Sequence, residues 1–263
     1  MGNYLFADCP FAINFGKGEE RYKDFCTAES HNPIQMINIG EFKEISTSSY
    51  GVEYLSREFD NFFRSQENPT SMLFADKNWS NAYVCRGQNG EYSEELVISA
   101  VYSRLCSENV MLLHASYVGV NGCGIVFTGP SGIGKTTQAQ LWEKYRGAKI
   151  VNGDKVFVRS IDDEVYAYGT PWKGSSPYDL NEKSPLKGIV ILQKSKENSI
   201  RRLLPTDAAQ LFLPHVFMPN WDEQCMCQLL ETFENTIKKV PLYLLECKPD
   251  EESVVITEKI IFE

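Results

Sequence analysis

The residues with the most specific chemistry in this chain are 129-GPSGIGKT-136. Their spacing, G-x-x-x-x-G-K-[ST], is that of a loop whose backbone N–H groups wrap phosphate oxygens. Gly129, Gly132 and Gly134 let the backbone come close to an anion, and Pro130, Ser131 and Ile133 complete the cradle. A helix that starts at the loop adds the favourable end of its dipole. Lys135 is expected to reach the β- and γ-phosphates, and Thr136, followed by Thr137, to hold Mg²⁺ through its hydroxyl. The ligands implied are ATP and Mg²⁺.

Phosphoryl transfer needs a further carboxylate, to hold the metal or to take the proton of an attacking hydroxyl. Asp154 is the best placed, just past the next apolar run; the alternative is a simple turn former at a strand end. Histidine is scarce: His31, His114 and His215. His114 lies within an apolar run, where a satisfied core histidine and a functional one are equally compatible with the sequence. Lys173, in 169-GTPWKG-174, and the pair Arg201 and Arg202 are candidates for contacts to phosphate or substrate, against the plainer reading of solvated surface charge. Asp162 and Asp163 read as turn residues.

These side chains need elements to hold them. Residues 111-MLLHASYVGV-120 read as a strand, 121-NG-122 as a hairpin turn and 124-GIVFT-128 as the returning strand that feeds the loop. A helix follows to about Tyr145 and stops at Gly147. Then come a short strand 148–152, a hairpin 155–160 with 164–169, and a strand 187–193. A helix opened by Thr206, a helix from about Asp222 to Lys239, a strand 242–247 and a terminal helix from about Asp250 complete the chain. Hairpins on both sides of the loop predict a mixed sheet rather than an all-parallel one. The fold class is therefore α/β (α+β), with a mixed, hairpin-containing sheet, a phosphate loop and flanking helices. Upstream, 34–39, 72–75 and 82–85 read as strands and 53-EYLSREFDNFFRS-65 as a helix, while Ser93 is expected to cap a helix to about Asn109. This divides the chain into a small β-rich domain, 1–92, of unassigned function and a catalytic domain, 93–263.

Composition narrows the partners. Net charge is −9, and the first hundred residues hold eight Lys and Arg against fifteen Asp and Glu. That balance argues against a nucleic-acid backbone as partner. No run of 18 apolar residues is present, which excludes a spanning helix, and the start lacks the basic and apolar regions of a signal peptide. The eight cysteines are accordingly expected to be reduced and buried in a cytoplasmic protein, with Cys225-Met-Cys227 part of a helix rather than a metal site. A motor or transport ATPase is disfavoured, because no LSGGQ-like signature occurs and 189-IVIL-192 runs into Gln193 and Lys194 instead of an aspartate.

The order LLHAS, hairpin, GPSGIGKTT, helix, short strand, Asp-x-Val, hairpin, GTPWKG resembles the catalytic domain of the HPr serine kinase/phosphorylase-related proteins, a group akin to phosphoenolpyruvate carboxykinase. The ending 240-VPLYLLECKPD-250 is similar to a diverged small-kinase branch of that group, and the resemblance runs from about Glu94 to the carboxyl terminus. It implies ATP-dependent transfer to a hydroxyl, usually serine, of a peptide or small molecule. It also implies an active-site role for His114 and supports Asp154, Lys135 and Thr136 in theirs, and relatives of this kind can be oligomeric. Two departures matter. The family often has two adjacent aspartates after the short strand, whereas here Gly153 precedes Asp154. The loop signature of true HPr kinases is not found after Tyr168, so HPr is not the expected acceptor, and a weak or non-catalytic nucleotide sensor is the alternative.

Overall fold

The computed structural model describes residues 1–16, 19–29, 32–40, 45–47, 53–55 and 59–263, and His31 lies outside them. The chain forms two compact units, Met1–Glu108 and Asn109–Glu263.

In the first unit a six-stranded mixed sheet runs in the order β1 (Gly2–Phe6), β2 (Cys9–Asn14), β3 (Gln35–Gly40), β8 (Asn81–Cys85), β7 (Met72–Ala75) and β6 (Asn61–Arg64). β4 (Ile45–Thr47) and β5 (Glu53–Leu55) form a separate antiparallel pair. The helix expected over 53–65 is not formed. Within that stretch Glu53–Leu55 form β5 and Asn61–Arg64 form β6, with residues 56–58 outside the description. The aromatic residues decide this: Phe62 stands opposite Phe74 with ring centroids 5.1 Å apart, and Phe63 lies 5.7 Å from Trp79. Cross-strand aromatic pairs of this kind favour the pleated state over a helix. The helix α1 (Glu94–Cys106) packs on β3, β7 and β8, so the division of the chain falls after this helix rather than before it. Ser93 holds the cap position, but its hydroxyl bonds to Glu95 instead of to the backbone.

The second unit is built around β9 (Val110–Val120), whose residues are nearly all buried because helices and strands cover both of its faces. The turn Asn121-Gly122, with φ of 51° and 73°, returns the chain along β10 (Cys123–Thr128). Positive φ at both central residues gives the turn the twist a two-residue hairpin needs. After the phosphate loop come α2 (Lys135–Arg146), β11 (Lys149–Asn152), β12 (Lys155–Ile161) and β13 (Glu164–Tyr168). Then follow β14 (Lys183–Lys194), β15 (Ser199–Arg202), α3 (Pro205–Phe212), α4 (Glu223–Lys239), β16 (Leu242–Cys247) and α5 (Glu251–Phe262). Asp222 and Asp250 cap α4 and α5 by accepting from Cys225 N and Ser253 N. α3 opens at Pro205, with Thr206 inside its first turn rather than before it.

Pairing is mixed. β10 is antiparallel to β9 but parallel to β14, and β14 is parallel to β16. β9, β10, β14, β13 and β12 pair in a closed ring, because the start of β14 joins β13 and its remainder joins β10. Alternation along the strands assigns two cores. Met111, Leu113, Ala115 and Tyr117 meet Phe212, Leu229 and Phe233 on one side. Val118, Val120, Ile125 and Phe127 meet Ala139, Trp142, Val254 and Ile261 on the other.

No helix is long and apolar enough to cross a membrane among the described residues. Of the eight cysteines, Cys9, Cys106 and Cys225 are buried, Cys26 and Cys227 are exposed and the rest are half-buried. The expectation that the cysteines are buried therefore holds for only part of the set. Cys225 and Cys227 stand two apart on α4, which turns their side chains to different sides of the helix.

Candidate active site

The register of β9 assembles the site. His114 lies opposite Lys155 on β12, and Ala115 lies opposite Thr128, the last residue before the phosphate loop. The middle of one strand therefore stands between the loop on one flank and Asp154 on the other. Ala115 N donates to Asp154 O at 2.9 Å, and Thr128 Oγ1 donates to His114 O at 2.9 Å, which ties both flanks to the strand. By alternation His114 points to the face opposite Leu113 and Ala115, which is how a polar ring fits in an apolar strand.

The loop has the backbone its glycines permit, with φ of 148° at Gly129, 72° at Gly132 and 114° at Gly134. α2 starts at Lys135 with no acidic residue in its first turn, so its positive end is left for an anion. Lys135 is buried, and its Nζ donates to Gly129 O at 3.1 Å and Pro130 O at 3.2 Å. Burial lowers the pKa of this amine, and the nearby Asp154 acts against that shift. Thr136 Oγ1 donates to Gly153 O at 3.3 Å, which joins the start of α2 to the turn that carries Asp154.

That turn is organised by Asn152, a fully buried side chain whose role was not apparent from sequence. Asn152 Oδ1 accepts from Asp154 N at 2.8 Å and Lys155 N at 3.0 Å, while Nδ2 donates to Thr170 O at 2.8 Å. The carboxylate itself lies between two basic groups, with His114 Nε2 3.4 Å from Oδ1 and Lys155 Nζ 2.7 Å from Oδ2. The hydrogen bond from His114, helped by Lys155 and opposed by burial, holds the Asp154 carboxyl down at about 2. Lys155 also went unrecognised in the sequence. Its only signal there is its place next to Asp154, and one residue further along the strand is enough to bring its amine back onto that carboxylate.

The cleft between these groups has a volume of about 520 Å³. It is lined by the loop and the start of α2, by His114, Gly153 and Asp154, and by Lys173, Ser175, Ser176 and Pro177. Of the weaker candidates, Lys173 therefore reaches this cleft, although its amine also pairs with Asp179 at 2.7 Å. Arg201 and Arg202 do not line it. They stand on β15, which pairs only with β16, where Arg201 lies 4.0 Å from Asp207 with both side chains about half exposed. Residue type alone does not say which strand is at an edge.

Gly153 accounts for the missing carboxylate of the sequence pattern. A Cβ there would lie 2.0 Å from Ser176 Oγ and 2.5 Å from Ser176 Cβ, so Ser176 fills the room a side chain at position 153 would need. Gly174, at φ 57°, lies so close to Asp154 that a Cβ would come within 2.8 Å of its carboxylate.

Thr136 and Asp154 offer one hydroxyl and one carboxylate oxygen donor. No group of three or more His, Cys, Asp or Glu side chains that could hold a metal occurs among the described residues. A hard cation completed by phosphate oxygens and water, such as Mg²⁺, fits that donor set, whereas an all-protein metal cage does not.

The chain is 29% identical over 101 residues to the HPr kinase/phosphorylase of Limosilactobacillus reuteri (strain DSM 20016), covering 38% of this chain and 29% of that protein. It is 27% identical over 153 residues to that of Caldanaerobacter subterraneus subsp. tengcongensis, covering 56% and 46%. Over these stretches the chain is similar to the HPr kinase/phosphorylases at low identity. It spans less than half the length of these curated relatives. No family model matches it. A solved structure of the Hpr(Ser) kinase/phosphatase from Coxiella burnetii aligns with a TM-score of 0.36 at 11% identity, over 57% of this chain and 95% of that one.

Proposed function

We propose that this chain is a kinase that transfers the γ-phosphoryl group of Mg-ATP to a hydroxyl, with a serine of a peptide or small molecule as the favoured acceptor and HPr not expected. The observation that carries the reading is the single cleft in which the phosphate loop faces Asp154 and His114. The loop amides and Lys135 would bind the phosphate chain and spread the charge that develops during transfer. Thr136 and Asp154 would hold Mg²⁺, which when bound neutralises phosphate oxygens. A carboxyl held at about 2 is a weak base, so Asp154 serves to orient groups rather than to carry the proton away. With His114 Nε2 donating to Asp154, Nδ1 is the ring nitrogen left to take a proton from the acceptor hydroxyl. Because the transition state of phosphoryl transfer is loose, positioning and charge matter more than base strength.

Incubation with Mg-ATP and a panel of free serine, serine peptides and cell extract should give an acceptor heavier by one phosphoryl group. Lys135→Ala and Asp154→Asn should each suppress it. Unchanged turnover in both variants would refute the mechanism.

A second reading, a nucleotide sensor without transfer, is favoured by Gly153 and by the occupation of both Asp154 oxygens by His114 and Lys155. It predicts ATP binding by calorimetry with no ADP formed beside any acceptor.

A further inference from the structure

The cleft is lined in part by 173-KGSSP-177, which carries two hydroxyls, those of Ser175 and Ser176. The segment is anchored at both ends. Trp172 is buried, with its ring 5.7 Å from that of Phe157, and Lys173 pairs with Asp179. Between the anchors the backbone turns tightly, Ser176 N donating to Lys173 O at 3.0 Å. Gly174, in the left-handed region, brings the segment against the carboxylate of Asp154, and the next residue is Ser175.

The two serines are not equivalent. Ser176 Oγ accepts from Tyr178 N at 3.2 Å and fills the space over Gly153. Ser175 is exposed, lines the cleft and makes no hydrogen bond among the described residues. This uncommitted hydroxyl is one residue from the backbone that touches Asp154 and lines the same cleft as the phosphate loop and His114, as an acceptor must. A tethered acceptor is also present at high effective concentration.

We infer that Ser175 is a self-phosphorylation site, modified in cis by the same phosphate loop; this rests on the kinase reading above. Ser175 Oγ forms a bond to the γ-phosphorus while the bond from that phosphorus to the bridging oxygen of ADP breaks. The hydroxyl proton passes to His114 and then to water, leaving phosphoserine and ADP. The product sets a phosphate carrying a charge near −2 beside Asp154, where like charges repel, and within the cleft that the next ATP must enter. The modified chain therefore turns over an external acceptor more slowly than the unmodified one.

The test is to incubate the full chain with Mg-ATP and with Mg-ADP, measure intact mass, and locate any added phosphoryl group by peptide fragmentation. Calorimetric ATP binding is measured on the same samples. One phosphoryl group on Ser175 is expected with ATP and none with ADP. The rate constant should be unchanged over about a tenfold range of protein concentration, as an intramolecular step requires. Ser175→Ala should abolish the gain and still bind ATP, and Lys135→Ala should give no gain. ATP bound with no phosphoryl group added, or with the group on Ser176 or elsewhere, overturns this inference and leaves the kinase reading standing. Absence of ATP binding overturns both.

Discussion

Asp154→Asn is the most informative single substitution, because it keeps the shape of the side chain and removes its charge. The Asp154 carboxyl is lowered from 3.8 to about 2 by the bond from His114 and the ion pair with Lys155, and it is mostly sheltered from solvent. At 1.36 kcal/mol for each tenfold change in proton affinity, that lowering corresponds to about 2 kcal/mol of folding stability. The sign follows from the direction. A carboxyl whose folded value lies below its unfolded one stabilises fully above the unfolded value and loses that contribution as pH falls through the folded one. Without nucleotide or Mg²⁺, Asp154→Asn should therefore be less stable than the parent chain by about 2 kcal/mol at neutral pH. The gap should close on acidification from about pH 4 to pH 2. Urea denaturation across that range reads both. A second change, Lys155→Met, should recover part of the loss, since Asp154→Asn alone leaves a sheltered ammonium without its counter-ion. Equal stability at neutral pH would refute the claim that this carboxylate is held by its neighbours. A gap that stays constant down to pH 2 would show the effect to be one of packing rather than charge.

Lys135→Ala should abolish the rise in melting temperature that ATP produces, while leaving the ligand-free transition close to its original position. Gly153→Ala places a methyl group 2.0 Å from Ser176 Oγ. It should cost about 1–3 kcal/mol in a denaturation series, and adding Ser176→Gly should restore most of it. Arg201→Ala and Arg202→Ala, at the sheet edge, should leave ATP affinity and turnover unchanged, and a loss of either would return these arginines to the site. Burial pushes the Cys85 and Cys247 thiols up to about 11. Timed alkylation near neutral pH should therefore label exposed Cys26 and Cys227 well before them.

Much of the second unit was legible because its signals are local. The Asn121-Gly122 turn needs only two residues able to take positive φ, and the phosphate loop needs only its glycines, Lys135 and Thr136 at fixed spacing. Such features hold whatever packs around them. The segment 53–65 shows the opposite case. Its apolar spacing suits a helix, but Phe62 pairs with Phe74 across the sheet and Phe63 packs near Trp79 of the β7–β8 turn, partners outside the segment itself. The edge position of Arg201 and Arg202 was hidden for the same reason, since only strand order places β15 outside β16.

By itself, then, the sequence determined the glycine-rich loop whose spacing suits phosphate, the mixed character of the sheet, and that Asp154 and His114 are the residues to watch. Only the tertiary structure decided how they meet: the register of β9 puts His114 beside Asp154, and Lys155 turns back onto the same carboxylate. It also explained Gly153, whose missing side chain leaves room for Ser176, a residue from a different loop. The physical reason is range. Backbone conformation and loop chemistry are set by neighbours along the chain, whereas a carboxylate's charge partners and the space beside a glycine are set by residues that only folding brings together.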